Sequence, residues 1–205
     1  MLNTQPPFIE KTGIDGLLVI NPPVYYDNRG YFFESHNPLL FVRYNLFYHF
    51  IQDNQAYSKY GVLRGLHYQL NPVAQAKLVR VIQGKVYDVA VDLREGSPTF
   101  GNWFGIELSA ENKKQLLIPR GFAHGYVVLS ETAEFLYKCD NYYEPLQEAG
   151  ILFNDPFLNI DWPIDSSELI ISEKDRGLPL FKDAVYNFSI QDESAFLYSE
   201  EDFEE

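Results

Sequence analysis

Residues 85–93, Lys-Val-Tyr-Asp-Val-Ala-Val-Asp-Leu, alternate in the way that a β-strand does. The odd-numbered residues from Tyr87 to Leu93 fall on one face, and the even-numbered residues from Val86 to Asp92 fall on the other. The Gln83-Gly84 pair just before this stretch predicts a hairpin turn from the preceding strand. The stretch therefore predicts that the middle of the chain is β structure.

Eight further runs on either side are short, rich in branched or aromatic residues, and mostly bounded by Gly, Pro, Asn or Ser. They predict strands at Leu17–Ile20, Gly30–Glu34, Gly61–Gln69, Lys77–Ile82, Trp103–Leu108, Gln115–Ile118, Tyr126–Leu129 and Glu134–Lys138. Ser130-Glu131-Thr132 predicts a second hairpin turn, and only Pro38–Asn45 and Ser167–Lys174 are predicted as short helices. Many short strands with regular turns predict an antiparallel sandwich or barrel.

The composition of the 205-residue chain fits one domain with a core. Hydrophobic residues make up 46%, which excludes a disordered chain, and the 15 Tyr and 16 Phe favour strands over helices. No apolar run approaches the roughly 20 residues of a membrane span, and the N-terminal residues lack the pattern of a secretory signal. The single Cys139 excludes an internal disulfide, so a cytoplasmic location is predicted.

The formal net charge of −13 argues against nucleic acid as a partner. Seven acidic residues and no basic residue lie between Asp192 and Glu205, so this tail carries −7 of the −13 and leaves −6 for the rest. We predict one domain over residues 1–181 and an acidic extension over residues 182–205. The extension is either solvated or docked on a neighbouring surface through its apolar side chains.

Two segments concentrate polar residues that suit proton chemistry, residues 61–69 (GVLRGLHYQ) and residues 118–126 (IPRGFAHGY). His67 lies beside Arg64 and precedes Lys77, and buried charge is costly unless it is paired or used. A regular strand points Arg64 and His67 to opposite faces, because they are three residues apart. A bulge at Gly65 brings both side chains inward, and this is our hypothesis for the strand.

The pattern Pro119-x-Gly-x-x-His124 resembles the second metal motif of the cupins, which are small double-sheet β-barrels. The first cupin motif requires a His-x-His pair, whereas His67 is followed here by Tyr-Gln. A cupin metal site needs about three or four imidazole or carboxylate ligands. We therefore expect no metal, which leaves His67 and His124 free to transfer protons.

These segments belong to a series of motifs by which the chain resembles the dTDP-4-dehydrorhamnose 3,5-epimerases, enzymes of activated-rhamnose synthesis. The resemblance runs from about Gly16 to Asp175. Its other motifs are Asp27–Glu34, Gln52–Asn54, Lys77–Arg80, Val86–Arg94, Ser97–Gly101, Tyr137–Cys139, Asp155-Pro156, Ile160–Pro163 and Lys174-Asp175. Several motifs in one order are more specific than any single pattern. The resemblance implies an all-β, cupin-like double-stranded β-helix (jelly-roll) barrel with a few short helices.

The resemblance also implies an isomerase that needs no cofactor and inverts C3 and C5 of dTDP-4-dehydro-6-deoxy-D-glucose, giving dTDP-4-dehydro-L-rhamnose. His67 matches the catalytic base and Asp175 the carboxylate that orients it. Tyr137 matches the acid on the opposite face of the sugar, and Lys77 the cation at the enolate oxygen. This set suits the chemistry, because enolate formation needs a base and a nearby cation, and inversion needs a second proton donor.

The same resemblance implies substrate-binding positions within the subunit and at a dimer interface. Those within the subunit are Gln52, Asp53, Asn54, Arg64, His124, Glu148 and Lys174, with Tyr143 stacked on thymine. Arg29 and Glu34 match residues that reach the substrate of the adjoining subunit in a homodimer. Asp88 and Arg80 match supporting positions.

Two positions depart from the family pattern. Ala56 stands where a serine is common, so one hydroxyl near the phosphates is lost. Tyr126 stands where a phenylalanine is common, so one hydroxyl near the pocket is gained.

Three alternatives to the two-centre epimerase are a single-centre (C3-only or C5-only) epimerase, a metal-dependent cupin enzyme and a non-catalytic sugar-nucleotide binder. Tyr137 favours the two-centre enzyme, because the second inversion depends on that acid. The missing His-x-His pair argues against the metal enzyme, and the acid–base set argues against the binder. The sequence does not fix the nucleotide base, the final product sugar or the role of the tail.

Overall fold

Short strands account for most of the regular structure in residues 8–192, which are the residues that the computed structural model describes. The strands are β1 (Ile9–Lys11), β2 (Leu18–Ile20), β3 (Tyr25–Asp27), β4 (Gly30–Phe32), β5 (Gln52–Lys59), β6 (Val62–Gln69), β7 (Lys77–Gln83), β8 (Lys85–Asp92), β9 (Arg94–Glu95), β10 (Trp103–Ser109), β11 (Gln115–Ile118), β12 (Phe122–Val128), β13 (Thr132–Cys139), β14 (Glu148–Gly150), β15 (Ile170–Ile171) and β16 (Phe188–Ser189). The α-helices are α1 (Pro38–Val42) and α2 (Glu173–Arg176). Single 3-10 turns lie at Pro145–Gln147, Ser166–Glu168, Phe181–Asp183 and Ile190–Asp192.

Two six-stranded sheets form a barrel within the described residues. Sheet A has the order β1-β2-β11-β7-β13-β5, and sheet B has the order β10-β8-β12-β6-β14, with β15 beside β6. Strands β5 to β8 alternate between the sheets, and β10 to β13 alternate again. This alternation is the double-stranded β-helix of a jelly roll, so the predicted all-β, cupin-like fold class is confirmed.

Both predicted hairpin turns connect consecutive strands, but neither makes a hairpin. Gly84, at φ +72°, joins β7 of sheet A to β8 of sheet B, and residues 130–132 join β12 of sheet B to β13 of sheet A. The prediction of hairpins was wrong because the same turn residues also occur where the chain passes from one sheet to the other. Which strand a strand pairs with depends on contacts with residues far away in the sequence.

The two predicted helices had different outcomes. Asn37 caps α1 by accepting a hydrogen bond from the Leu40 amide at 3.3 Å, and this helix is shorter than predicted. The prediction of a helix over Ser167–Lys174 was wrong, because Ile170-Ile171 pairs in parallel with β6. Branched residues favour that strand, and α2 begins only after Ser172 caps it by accepting from the Asp175 amide at 3.1 Å.

Strand β5 was absent from the predicted strands. Its sequence, QDNQAYSK, is polar on both faces and lacks the apolar alternation by which the other strands were predicted. Strand β12 begins at Phe122 rather than at Tyr126, so His124 lies within a strand. Predicted boundaries of the other predicted strands differ from the observed boundaries by at most two residues, and Gln115–Ile118 is the same in both.

The two faces predicted for residues 85–93 are confirmed. Val86 and Ala90 join the apolar cluster between the sheets, whereas Val89, Val91 and Leu93 join a second cluster on the other face of sheet B. The outer face of sheet A is covered by a third cluster that includes Leu78 and Phe41 of α1. The space between the sheets is therefore apolar at one end only, and polar side chains line the other.

The predicted acidic extension begins in described residues and continues beyond them. Phe188 is buried, and β16 pairs in parallel with β9, so this part of the extension packs against the barrel. Residues 193–205, which carry six of the seven acidic residues, lie outside the described residues. The extent and exposure of the extension stay predictions. Within the described residues, no helix is long and apolar enough to cross a membrane.

A bulge at Gly65 turns two polar side chains toward the space between the sheets, as the hypothesis required. His67 pairs with His124 and Arg64 pairs with Tyr126, so three residue steps on β6 face two on β12. Gly65 adopts φ +121°, and a Cβ there would lie 2.5 Å from the Gly125 Cα. Glycine is therefore required both for the backbone angle and for the close approach of the two strands.

We predict that Gly65→Ala lowers the free energy of unfolding by about 3 kcal/mol or more, because a positive φ and a backbone clash add together. The measurement is urea denaturation followed by circular dichroism. Gly13→Ala is the matched control, since Gly13 also has positive φ (+92°) but has nothing within 4 Å of its Cβ position. Equal losses in the two variants would contradict the role of the close approach.

Candidate active site

A cleft opens between the sheets where the apolar core ends. It has two lobes of about 540 and 330 Å³, and His67, Lys77 and Tyr137 line both. His67 comes from β6 of sheet B, whereas Lys77 and Tyr137 come from β7 and β13 of sheet A. The cleft therefore places one potential base on one wall and two potential proton donors on the other.

Most of the residues predicted for the site line this cleft. The larger lobe contains Arg64, His67, Lys77, His124, Tyr137, Lys174 and Asp175, and the smaller lobe adds Gln52, Asn54, Tyr143 and Glu148. Strand register explains part of the grouping, because Asn54 lies opposite Tyr137 and Gln52 opposite Cys139. Directly opposed residues point to the same face of a sheet.

Three predicted residues do not line the cleft. Asp53 lies between Gln52 and Asn54 and so points to the other face of sheet A, where it accepts a hydrogen bond from Lys138 Nζ at 2.8 Å. Arg29 is exposed at the tip of the β3–β4 hairpin and pairs with Asp27 at 2.6 Å. Glu34 accepts a hydrogen bond from Asn37 Nδ2, three residues later in the chain, at 3.0 Å.

The partly exposed His67 and the buried Asp175 form a dyad. His67 Nε2 lies 2.8 Å from Asp175 Oδ1, and only 4% of Asp175 is exposed. Burial raises the pKa of Asp175, but the hydrogen bonds and charge from His67, with the Gly65 amide and Ser172, together lower it. The carboxylate is therefore ionised at neutral pH and accepts the Nε2 proton, which leaves the lone pair of His67 on Nδ1.

His124 forms a second dyad with Asp88 deeper in the barrel. His124 Nε2 lies 2.9 Å from Asp88 Oδ2, and Asp88 is fully buried. Burial raises the pKa of Asp88, whereas His124 and Lys77 act to lower it. The two histidines of the cleft are thus each held by a carboxylate. Among the described residues, no three His, Cys, Asp or Glu side chains converge as metal ligands.

Two cations of the cleft lack a carboxylate partner. Within the described residues, no carboxylate oxygen lies within 4.0 Å of Arg64 or Lys77. A separate groove of about 240 Å³ differs, because its Arg94 and Arg120 are each paired with an aspartate at 2.9 Å. Uncompensated positive charge marks the first cleft as the place for an anionic ligand.

Tyr137 is a neutral proton donor at ordinary pH. Burial raises its pKa to about 12, with smaller upward effects from Cys139, Tyr126 and Glu148 and an opposing effect from Arg64. Its side chain packs against the apolar cluster between the sheets, and Phe135 lies beside it with ring centroids 6.1 Å apart. The phenol is therefore fixed in place and protonated.

A network at the mouth of the smaller lobe holds Tyr143. Its hydroxyl donates to Glu148 Oε2 at 2.6 Å, and Lys174 Nζ lies 2.5 Å from the same oxygen. Its amide donates to Gln52 at 3.1 Å. Half of Tyr143 is exposed, so one ring face is available to a flat ligand.

Several residues that build the site were not predicted. Ser172 orients Asp175, and Gln69 anchors the Tyr143 segment by accepting from the Glu144 amide at 2.7 Å. Ser58 accepts from Arg64 Nε at 3.2 Å. Gln69 lies two residues after His67 on β6, so the two side chains point to the same face of the sheet. A glutamine at this spacing from a predicted base could have been identified from the sequence as part of the site.

Known proteins resemble this chain over most of its length. The family model described as dTDP-4-dehydrorhamnose 3,5-epimerase matches residues 11–183. A dTDP-4-dehydrorhamnose 3,5-epimerase of Shigella flexneri is 52% identical over 177 residues, which cover 86% of this chain and 97% of that protein.

Solved structures give the same result. The dTDP-4-dehydrorhamnose 3,5-epimerase of Elizabethkingia anophelis superposes with a TM-score of 0.83 at 55% identity, over 85% of this chain and 96% of that one. A dTDP-6-deoxy-D-glucose-3,5-epimerase of Legionella pneumophila, solved in complex with dTDP-4-keto-L-rhamnose, has a TM-score of 0.81 at 50% identity. That match covers 84% of this chain and 91% of the Legionella protein.

We predict that Lys77→Met raises the free energy of unfolding at pH 7 by about 1 kcal/mol, because it removes a desolvated cation that has no carboxylate partner in residues 8–192. Burial lowers the pKa of Lys77 below its ordinary 10.5, so the unfolded chain binds this proton more tightly than the folded protein does. The cost of the cation is therefore present at neutral pH and disappears as the pH rises through the lowered pKa toward 10.5.

Urea titrations at several pH values measure this difference. Lys85→Met is the control, since Lys85 is exposed and lies 3.5 Å from Glu107, and we expect a change of less than about 0.5 kcal/mol there. A less stable Lys77→Met variant would mean that attractive contacts outweigh desolvation at this lysine.

Proposed function

Because this chain belongs to the dTDP-4-dehydrorhamnose 3,5-epimerase family, an isomerase family, we propose that it inverts C3 and C5 of dTDP-4-dehydro-6-deoxy-D-glucose. One observation carries the proposal for the residues. The His67–Asp175 dyad lies on one wall of the cleft, and Tyr137 and Lys77 lie on the other. A base facing an acid across the substrate is the arrangement that inversion requires.

His67 is the base. Its Nδ1 removes the proton from the carbon next to the C4 ketone, and the negative charge moves to the ketone oxygen as an enolate. Asp175 stabilises the imidazolium that results, since the ionised carboxylate already holds Nε2 at 2.8 Å. Lys77 makes no ion pair with a carboxylate of the described residues and donates to the enolate oxygen, where its charge is most effective because it is desolvated.

Tyr137 returns a proton from the opposite wall. With a pKa of about 12 it is neutral, so the phenol carries the proton that the enolate carbon needs. Delivery to the face away from His67 changes the configuration, whereas a proton returned by His67 restores it. The same pair serves both carbons in turn, because C3 and C5 flank the same ketone.

The remaining cleft residues bind the nucleotide part of the substrate. Arg64 is a cation without a carboxylate partner and suits the diphosphate, to which a guanidinium presents several donors at once. The Tyr143 ring, held by Glu148 and Gln52, suits a flat base such as thymine. His124 and Asn54 complete the polar lining near the sugar.

A homodimer with shared sites accounts for the β3–β4 hairpin. This hairpin pairs only with itself among the described strands and exposes more than half of Tyr25, Tyr26, Tyr31 and Phe32. A cluster of exposed aromatic side chains fits a protein interface. Arg29 at the hairpin tip then reaches the cleft of the partner subunit. A cytoplasmic location stays a prediction from the sequence.

We predict that the protein incorporates deuterium at both C3 and C5 when it is mixed with dTDP-4-dehydro-6-deoxyglucose in heavy water, with formation of the L-lyxo product. Proton NMR measures exchange and product together. His67→Ala slows exchange by about 10³-fold, because general base catalysis is lost. Tyr137→Phe retains exchange through His67 but loses the inverted product.

The control is His49→Ala, which changes an exposed histidine outside the cleft and leaves exchange intact. Exchange at one carbon only would identify a single-centre epimerase. Full activity in His67→Ala would refute the assignment of the base.

We predict that subunits with Arg29→Ala and subunits with His67→Ala, each inactive alone, recover activity when they are co-expressed. In a mixed dimer the first subunit keeps its own base and receives an intact hairpin from the second. Random pairing then makes about a quarter of all sites active. No recovery would show that Arg29 acts within its own subunit, provided that mixed dimers formed, and purification through a different affinity tag on each variant isolates those mixed dimers.

A further inference from the structure

The Tyr126 hydroxyl is buried without a partner. Tyr126 is 5% exposed, and its Oη meets no group in hydrogen-bonding geometry among the described residues. Its ring stacks on Phe135 with centroids 4.1 Å apart, and a phenylalanine would make the same contact. A buried hydroxyl without a partner destabilises a protein, so packing alone does not explain why a tyrosine stands here.

The strand register sets this hydroxyl beside Arg64. Tyr126 lies directly opposite Arg64 on β6, and both line the larger lobe of the cleft. Ser58, on β5 of the other sheet, is 4% exposed and accepts from Arg64 Nε at 3.2 Å. Burial raises the pKa of Tyr126, whereas the Arg64 charge and the Ser58 hydroxyl act to lower it.

The Arg64 side chain is anchored through its Nε. Its Nε is held by Ser58, and no carboxylate among the described residues fixes the rest of the guanidinium, which is exposed to the cleft. Ala56, two residues before Ser58 on the same face of β5, offers only a methyl group. A cation that must present two parallel donors to a phosphate loses affinity when it samples several rotamers.

We propose that Tyr126 is a positioning residue, which with Ser58 forms a seat for the Arg64 guanidinium and aims it at the diphosphate of the substrate. A small rotation of the guanidinium brings a second N–H of Arg64 to the Tyr126 oxygen, which accepts it, while Ser58 keeps Nε. The remaining donors of the guanidinium then point into the cleft together. This proposal rests on the proposed function for the identity of the anion, but the seat itself is a property of the ligand-free protein.

The test compares Tyr126→Phe with the intact protein, using dTDP as the probe in calorimetry. We expect the Kd of dTDP and the KM of the sugar nucleotide to rise about fivefold, kcat to stay within about twofold, and the Tm to stay equal or rise. Thymidine, which lacks phosphate, binds both proteins equally. In an Arg64→Lys background the same change alters the Kd of dTDP by less than about 1.5-fold, because the seat has lost its occupant.

Tyr68→Phe is the matched control. Tyr68 is also buried, but its hydroxyl donates to the Val185 carbonyl at 2.8 Å, so its loss lowers the Tm and leaves the Kd of dTDP unchanged. An unchanged Kd of dTDP in Tyr126→Phe, or an equal loss for thymidine, would overturn the proposal.

A second measurement separates this proposal from the proposed function. Hydrogen exchange at the Arg64 Nε–H, followed by nitrogen-15 NMR in ligand-free protein, should be about fivefold faster in Tyr126→Phe. Faster exchange supports the seat even if the intact protein neither binds dTDP nor exchanges deuterium, which would refute the proposed function alone. Equal exchange rates would refute the seat whatever the substrate is.

Discussion

The site depends on one extra residue in one strand. Strand β6 must carry both Arg64 and His67 into the space between the sheets, although residues three apart in a regular strand face opposite sides. The bulge at Gly65 resolves this conflict, and the Gly65 amide also donates to Asp175 at 3.4 Å. The same backbone distortion therefore orients His67 and Asp175, which we propose as base and supporting carboxylate, and Arg64, which we assign to the phosphates.

Charge is arranged in opposite ways at the two ends of the barrel. Arg94 and Asp92 are both almost fully buried and pair at 2.9 Å, so their charges cancel and this end is structural. Lys77 and Arg64 lack such partners among the described residues and keep their charges for a ligand. A barrel built only for stability would have apolar residues at these two positions, so the cleft reflects a compromise between stability and binding.

The sequence predicted those parts of the fold in which neighbouring residues carry the signal. Residues 85–93 alternate because each face of β8 packs against a different apolar cluster, and the two predicted faces are confirmed. Strand β5 was missed because its inner face lines a polar cleft. Its residues there are mostly polar, so the strand lacks the apolar alternation on which the prediction depended. The grouping of His67 with Asp175 came from family resemblance, since no local rule relates residues 108 positions apart. The bulge followed from strand geometry, whereas the seat of Arg64 required the observed contacts.

The alternation of strands between sheets has a consequence for how the chain acquires its structure. Each sheet pairs strands that are far apart in sequence: β13 pairs with β5 in sheet A, and β12 pairs with β6 in sheet B. Such a fold has a high contact order, which predicts slow folding with little stable structure in partial chains. During synthesis His67 is made 108 residues before Asp175, its partner in the dyad. A ribosome-bound fragment that ends before Asp175 therefore lacks the dyad, and the cleft is assembled only after that residue has been added.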